Sequence, residues 1–187
     1  MNIRTMFFIL AALTLTACSE TGEQKTQPSN NAPVQSSNKA VQPSTAPAQR
    51  YENADKARPK TLPEALASTK PCSLDAVGEK PAIEVNPVTD KTKLKLAGWG
   101  GNVAEGISQK EIWIEFAGAE KAYVKANSGI KRPDVASSLK KPGLEDSGWE
   151  AFADLSNLSA GRYIINIMMF DGKTGLTCNT GRAIQLN

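Results

Sequence analysis

From residue 72 onward, apolar and polar positions alternate in short runs. Leu94 and Leu96 alternate with Lys93 and Lys95, and Ile112, Ile114 and Phe116 with Glu111 and Glu115. This two-residue period is that of half-buried strands. The segment 121–127 continues it and ends at Ser128-Gly129, and Trp149, Ala151 and Ala153 alternate with Glu150, Phe152 and Asp154. Residues 163–170 are almost continuously apolar, as in a central strand covered on both faces. Asp171-Gly172 then signals a hairpin, with 174–178 and 183–186 as the return. Ala82–Val85 reads as a first strand, and residues 133–139 as a short helix across a connection. About seven short strands in about 115 residues predict an all-β sandwich over 72–187.

The first 71 residues follow other rules. Arg4 gives a basic start, and Met6–Ala17 form an apolar run broken only by Thr14 and Thr16. A bilayer span needs about 20 residues, so this run fits the core of an export signal over 1–17 instead. Residues 18–71 form a second region, which reads as a tether. Over 19–60 the chain is rich in Ser, Thr, Gln, Asn, Pro and Ala, with Tyr51 its only aromatic residue. Such a composition does not bury enough apolar surface to offset chain entropy, which predicts a disordered linker. Thr61-Leu62-Pro63-Glu64 carries helix-start signals, predicting a turn or two of helix over 61–68.

The run ends in Leu15-Thr16-Ala17-Cys18, which resembles the lipobox of bacterial lipoproteins. The resemblance implies cleavage before Cys18 and acylation of its thiol and new amino terminus. Ser19 in place of the aspartate of inner-membrane retention implies passage to the outer membrane, facing the periplasm or the surface. Three acyl chains exceed the two signals needed for stable anchoring.

Charge and cysteines narrow the chemistry. The net charge is +3, but residues 72–187 hold fourteen Lys/Arg against fourteen Asp/Glu. A balanced folded part has no long-range field for nucleic acid. The absence of histidine removes His-dependent triads and His-ligated metals, and neither a cofactor nor a metal site is expected. With Cys18 lipidated, Cys72 and Cys178 remain, and two thiols in an exported protein pair into a disulfide. A redox centre or a two-cysteine clip would need helper residues that the spacing lacks.

Leu158-Ser159-Ala160-Gly161-Arg162-Tyr163 resembles the tyrosine corner of immunoglobulin-like and fibronectin-type-III sandwiches. That implies a Tyr hydroxyl bonded back to the backbone over a buried Leu. A wider likeness covers about 90 residues, through Gly98-Trp99, Gly129-Ile130-Lys131-Arg132-Pro133-Asp134-Val135, Ser147-Gly148-Trp149 and Leu158-x-x-Gly161-x-Tyr163. It is similar to an accessory β-sandwich module of bacterial membrane glycosyltransferases and envelope proteins. The likeness implies a fold and an envelope setting, and no active site.

Several side chains admit two readings each. Arg132 is either a carboxylate or phosphate clamp, or half of an ion pair with Asp134 that braces the connection. Trp99, Trp113, Trp149 and Tyr123 are either a sugar-stacking platform or core, with Trp113 the best placed for exposure because it opposes Ile112 and Ile114. Glu145, Asp146 and Glu150 are either a carboxylate pair or a solvated turn. The Gly98–Asn102 run lacks the Lys and helix of a phosphate loop, and residues 101–109 read as a variable contact loop. The sum is a non-catalytic binding or interaction module in the cell envelope, held to the membrane by its lipid. A glycan-binding module and a hydrolase inhibitor are the alternatives.

Overall fold

The structure is a computed structural model, and it describes residues 49–187. The signal segment, Cys18 and the tether as far as residue 48 lie outside the described residues.

The described chain is all-β apart from one helix and one 3-10 turn. In order it forms β1 (Glu52–Asn53), β2 (Ala67–Ser68), β3 (Ser73–Val77), β4 (Lys80–Pro81) and β5 (Val85–Val88). Next come β6 (Leu94–Trp99), β7 (Gly101–Asn102), β8 (Ile107–Ser108), β9 (Glu111–Ala117) and β10 (Lys121–Ile130). Helix α1 (Pro133–Leu139) and the 3-10 turn Pro142–Leu144 precede β11 (Gly148–Asp154), β12 (Gly161–Phe170) and β13 (Gly175–Leu186).

Eleven of these strands form one sheet, along the path β2-β13-β12-β9-β10-β11-β6-β3-β4, with β1 on β11 and β5 on β13. β10 is the pivot. Its residues 121–126 pair with β9, whereas Asn127, Ser128 and Ile130 pair with β11. The register shifts between Ser128 and Ile130, where Gly129 takes φ +86°, a value glycine adopts without the Cβ clash other residues meet. The two halves of the sheet thus part on either side of β10. They share one core, with Leu94, Leu96, Trp149 and Ala151 from one half meeting Ile114, Phe116, Ile165, Ile167 and Ile184 from the other. The arrangement is sandwich-like.

The alternating pattern is realised strand by strand. Ile112, Ile114 and Phe116 are buried, as are Leu94 and Leu96. Tyr163 donates its hydroxyl to the Ser159 carbonyl at 3.0 Å over buried Leu158, the geometry of a tyrosine corner. Cys72 and Cys178 form a disulfide with Cα atoms 6.3 Å apart, joining the start of β3 in one half to β13 in the other. Glycine in the 98–102 run serves packing. A Cβ on Gly98 would sit 2.1 Å from the Ser73 carbonyl oxygen and 2.8 Å from the Trp149 ring.

Four expectations need correction. The sheet has eleven strands in place of about seven, because short segments read as turns or tether pair at its ends and at the fork between β10 and β11. The first strand of the 72–187 region is β3, with 82–85 mostly a connection into β5. β12 is not covered on both faces throughout: Met168 is buried on the outer side but Ile164 is 41% exposed.

The fourth concerns 49–71, which fold as part of the domain, and 61–68, which hold no helix. The Arg58 guanidinium binds the carbonyls of Leu62, Pro63 and Glu64, the acceptors that a helix would give to residues 66–68. Ala67 and Ser68 pair instead with Leu176 and Thr177.

Candidate functional site

The arm 49–68 builds a concave surface that combines Trp113, an aromatic side chain from the sequence expectation, with charges that have no ion-pair partner among the described residues. Glu52 and Asn53 run parallel to Ala153 and Asp154 of β11, filling the gap where β10 and β11 part. Asp55 then bridges to Tyr123 of β10. The chain crosses the outer face of the sheet, where Leu62 packs on Tyr123 and Met168, with Leu66, Trp113 and Phe170 around them. Burying this second cluster is what holds the arm in place. Lys56 adds an ion pair to Glu120 at 2.6 Å.

Two cavities line the arm. One, of about 310 Å³, lies at the fork between β10 and β11. Its arm wall is Gln49, Arg50 and Glu52, and its floor Lys125, Asn127, Glu150 and Phe152. The other, of about 330 Å³, is walled by Asp55, the segment 57–61 and Trp113. Lys125 lines the first, and its Nζ stands 5.8 Å from the centre of the ring of Trp113, which lines the second. The outer-face residues Glu150, Asn127, Lys125 and Trp113 follow one another through the pairings Asn127–Glu150 and Lys125–Trp113. Together they form a groove alongside the arm.

Trp113 is fixed within it. Its Nε1 donates to Glu111 Oε1 at 2.6 Å, and Thr61 of the arm donates to the same oxygen. Burial opposes the charge on Glu111, but these two hydrogen bonds and the nearby Lys125 outweigh it and hold the carboxyl below its usual range. At the other end, Phe152 is covered by the edge of Tyr51, with ring centres 5.6 Å apart, and by Lys95 Nζ at 5.4 Å.

The other expected site residues do not join the groove. Trp149 is 1% exposed and belongs to the core, and buried Tyr123 donates to Glu115 at 3.3 Å. Half-buried Trp99 ends β6, in the other half of the sheet from Trp113, so the four aromatics make no common platform. Arg132 is spent on two carboxylates. It grips Asp134 through Nε and Nη2 at 2.9 and 2.8 Å and Asp75 of β3 through Nη1 at 2.6 Å. The guanidinium therefore ties the approach to α1 onto the sheet, and the clamp reading falls.

Lys131 binds Glu145 and Asp146, while Glu150 binds Lys95, so those three carboxylates do not act as a pair. The 101–109 segment folds into the β7–β8 hairpin and is held by a Ser108 hydrogen bond to the Gly143 carbonyl. Among the described residues, no group of three or more His, Cys, Asp or Glu is placed to hold a metal ion. No helix among them is long and apolar enough to cross a membrane.

No family model matches the chain, and neither does any curated protein or solved structure.

Arg50, Tyr51, Arg58 and Lys60 escape the sequence reading because they sit in a stretch whose average composition is that of a linker. The signal was local. Tyr51, Leu62 and Leu66 are large apolar residues that a spacer has no use for, and each finds a packing partner.

Proposed function

We propose that the chain is an outer-membrane lipoprotein whose folded unit is a non-catalytic binding module of immunoglobulin-like or fibronectin-type-III-like kind. The observation that carries the binding reading is the groove along residues 49–61, where Trp113 is held in one orientation beside Lys60 and Lys125, neither of which forms an ion pair with a carboxylate among the described residues. A side chain locked by its neighbours presents a ready-made surface, which limits the entropy lost on binding. The anchor rests on Leu15-Thr16-Ala17-Cys18, and the sandwich kind on the Tyr163–Ser159 bond. Of the carboxylates lining the groove, Glu150 is engaged by Lys95 and Asp55 accepts the Ala57 amide at 2.8 Å, which leaves Glu52 without a second free carboxylate beside it in the first cavity.

Residues 19–48 serve as the spacer between lipid and module. Even fully extended they reach no further than about 100 Å, so the partner lies close to the membrane that holds the lipid. The likeness to accessory modules of envelope proteins agrees with that setting.

The test combines acylation with contact mapping in intact envelopes. Radiolabelled palmitate is expected on the protein and not on Cys18→Ser, with the label in the outer-membrane fraction. A photo-crosslinker at Lys60, in the groove, is expected to give a discrete adduct that one at exposed Ile164 does not. A soluble, unlabelled polypeptide overturns the anchor. Equal crosslinking from both positions, or turnover of wall glycan or peptide by the protein, overturns the binding module.

A further inference from the structure

We infer that the groove takes a linear acidic glycan, with one stretch lying in the fork between β10 and β11 and the next against Trp113. The inference rests on the binding-module reading and names its ligand class.

The geometry asks for a chain. Two cavities of about 310 and 330 Å³ lie along the arm, and Lys125 of the first stands with its Nζ 5.8 Å from the ring centre of Trp113 in the second. A ligand filling one and stopping would leave half of the built surface unused.

The chemistry of the lining asks for sugar. The Trp113 indole supplies a flat apolar surface in a fixed orientation, suited to the C–H face of a pyranose ring. Asn127, beside Lys125 in the first cavity, supplies amide donors and an acceptor for hydroxyl groups. A peptide would instead seek an open strand edge. Here Tyr123 spends its backbone N–H and C=O on Asp55, and Asn127 pairs with Glu150.

The charge asks for acid. Arg50, Lys60 and Lys125 make no ion pair with a carboxylate among the described residues, against Glu52 and Asp55 as the acids of the lining without a cationic partner. Carboxylates on alternate or successive sugar units complement that excess, and ring and charge are read by different residues.

Calorimetry on the full chain in detergent micelles tests this with four probes: a galacturonic acid hexamer, its dimer, maltohexaose and a hexaglutamate peptide. The acidic hexamer is expected to bind at least about 10-fold more tightly than each of the other three, because only it satisfies length, ring and charge together. Lys125→Ala, at an exposed position, is expected to weaken it about 10-fold and to flatten its salt dependence. Trp113→Phe keeps an apolar ring but loses the Glu111 bond, and is expected to weaken both hexamers alike.

A hexamer no tighter than the dimer, equal binding of maltohexaose or hexaglutamate, or an unchanged Lys125→Ala each overturns the inference. If the acidic hexamer fails while Lys60 still gives its discrete envelope adduct, the ligand class falls and the binding module stands. If both fail, both fall.

Discussion

Asp55 and Tyr123 exchange both of their backbone hydrogen bonds, Asp55 N–H to Tyr123 O at 2.9 Å and Tyr123 N–H to Asp55 O at 2.8 Å. This bridge closes the fork that opens where β10 leaves β11. Beside it, Ala54 is buried, its N–H bonded to Asp154 O at 2.9 Å and its carbonyl to Asn157 at 2.8 Å. The arm is therefore part of the sheet, and the groove depends on its seat.

Leu62 is the apolar peg of that seat, 4% exposed between Tyr123 and Met168. Leu62→Ala is expected to cost about 2 kcal/mol, the lower end for a buried leucine, because this outer cluster is small and can partly collapse. Urea denaturation measures the loss. Faster amide exchange at Asp55 and Tyr123 than in β12 shows that the arm loosens first.

Acid should loosen the arm through Glu120. A hydrogen bond from Lys56, then one from the Ser159 amide, hold the Glu120 carboxyl at about 2, below its ordinary 4.5. A carboxyl depressed in the folded state favours folding above its unfolded value, and that contribution disappears as pH falls towards the folded value. Between pH 4.5 and about 2 the stability that the Lys56 pairing contributes is therefore lost, and the pair itself breaks near the lower end. Hydrogen exchange at Ala54 and Asp55 is expected to rise across that window. Glu120→Gln should show the looser arm already at neutral pH and remove most of this response.

Arg132→Ala is expected to lower stability by about 1 kcal/mol, since two partly exposed ion pairs go, one of them bidentate. The Asp134 carboxyl, which Arg132 hydrogen bonds hold at about 2, should return towards its ordinary 3.8. Carboxyl titration by NMR reads the second effect. Groove binding should stay as in the wild type, because Arg132 lines neither cavity.

Reducing the Cys72–Cys178 bond releases a closure of 106 residues. The chain-entropy relation puts the loss at about 4–5 kcal/mol. Denaturation midpoints with and without reductant check it, and a Cys72→Ala, Cys178→Ala chain should match the reduced form.

Tyr163→Phe removes the hydrogen bond to Ser159 while keeping the ring in the core, at a cost of about 1 kcal/mol. A melting temperature equal to the wild type's would mean the corner is held by Leu158 packing alone.

Much of the fold was legible because its strands follow the two-residue period. Ile112, Ile114 and Phe116 against Glu111 and Glu115 dictate which face of β9 turns inward, and the tyrosine corner has a local signature. The arm was not legible, since its pairing partners lie about seventy or more residues away and its own period is too short to register. Two-residue strands such as β1 and β2 exist only because a neighbouring strand leaves hydrogen bonds open. The groove was half legible. Trp113 faces outward as its register requires, but the wall beside it comes from a stretch whose polarity averages to that of a spacer.

On the lipoprotein reading proposed above, the arm is also where the module would meet its spacer. Any pull on residue 49 arrives at Glu52–Asp55 before it reaches a long strand of the body, so tension would undo the seam at the fork first. The wall beside Trp113 belongs to that same seam. If the proposed anchor and groove hold, such a grip would slacken under tension and firm without it, so the distance between membrane and target would govern how firmly the protein holds on.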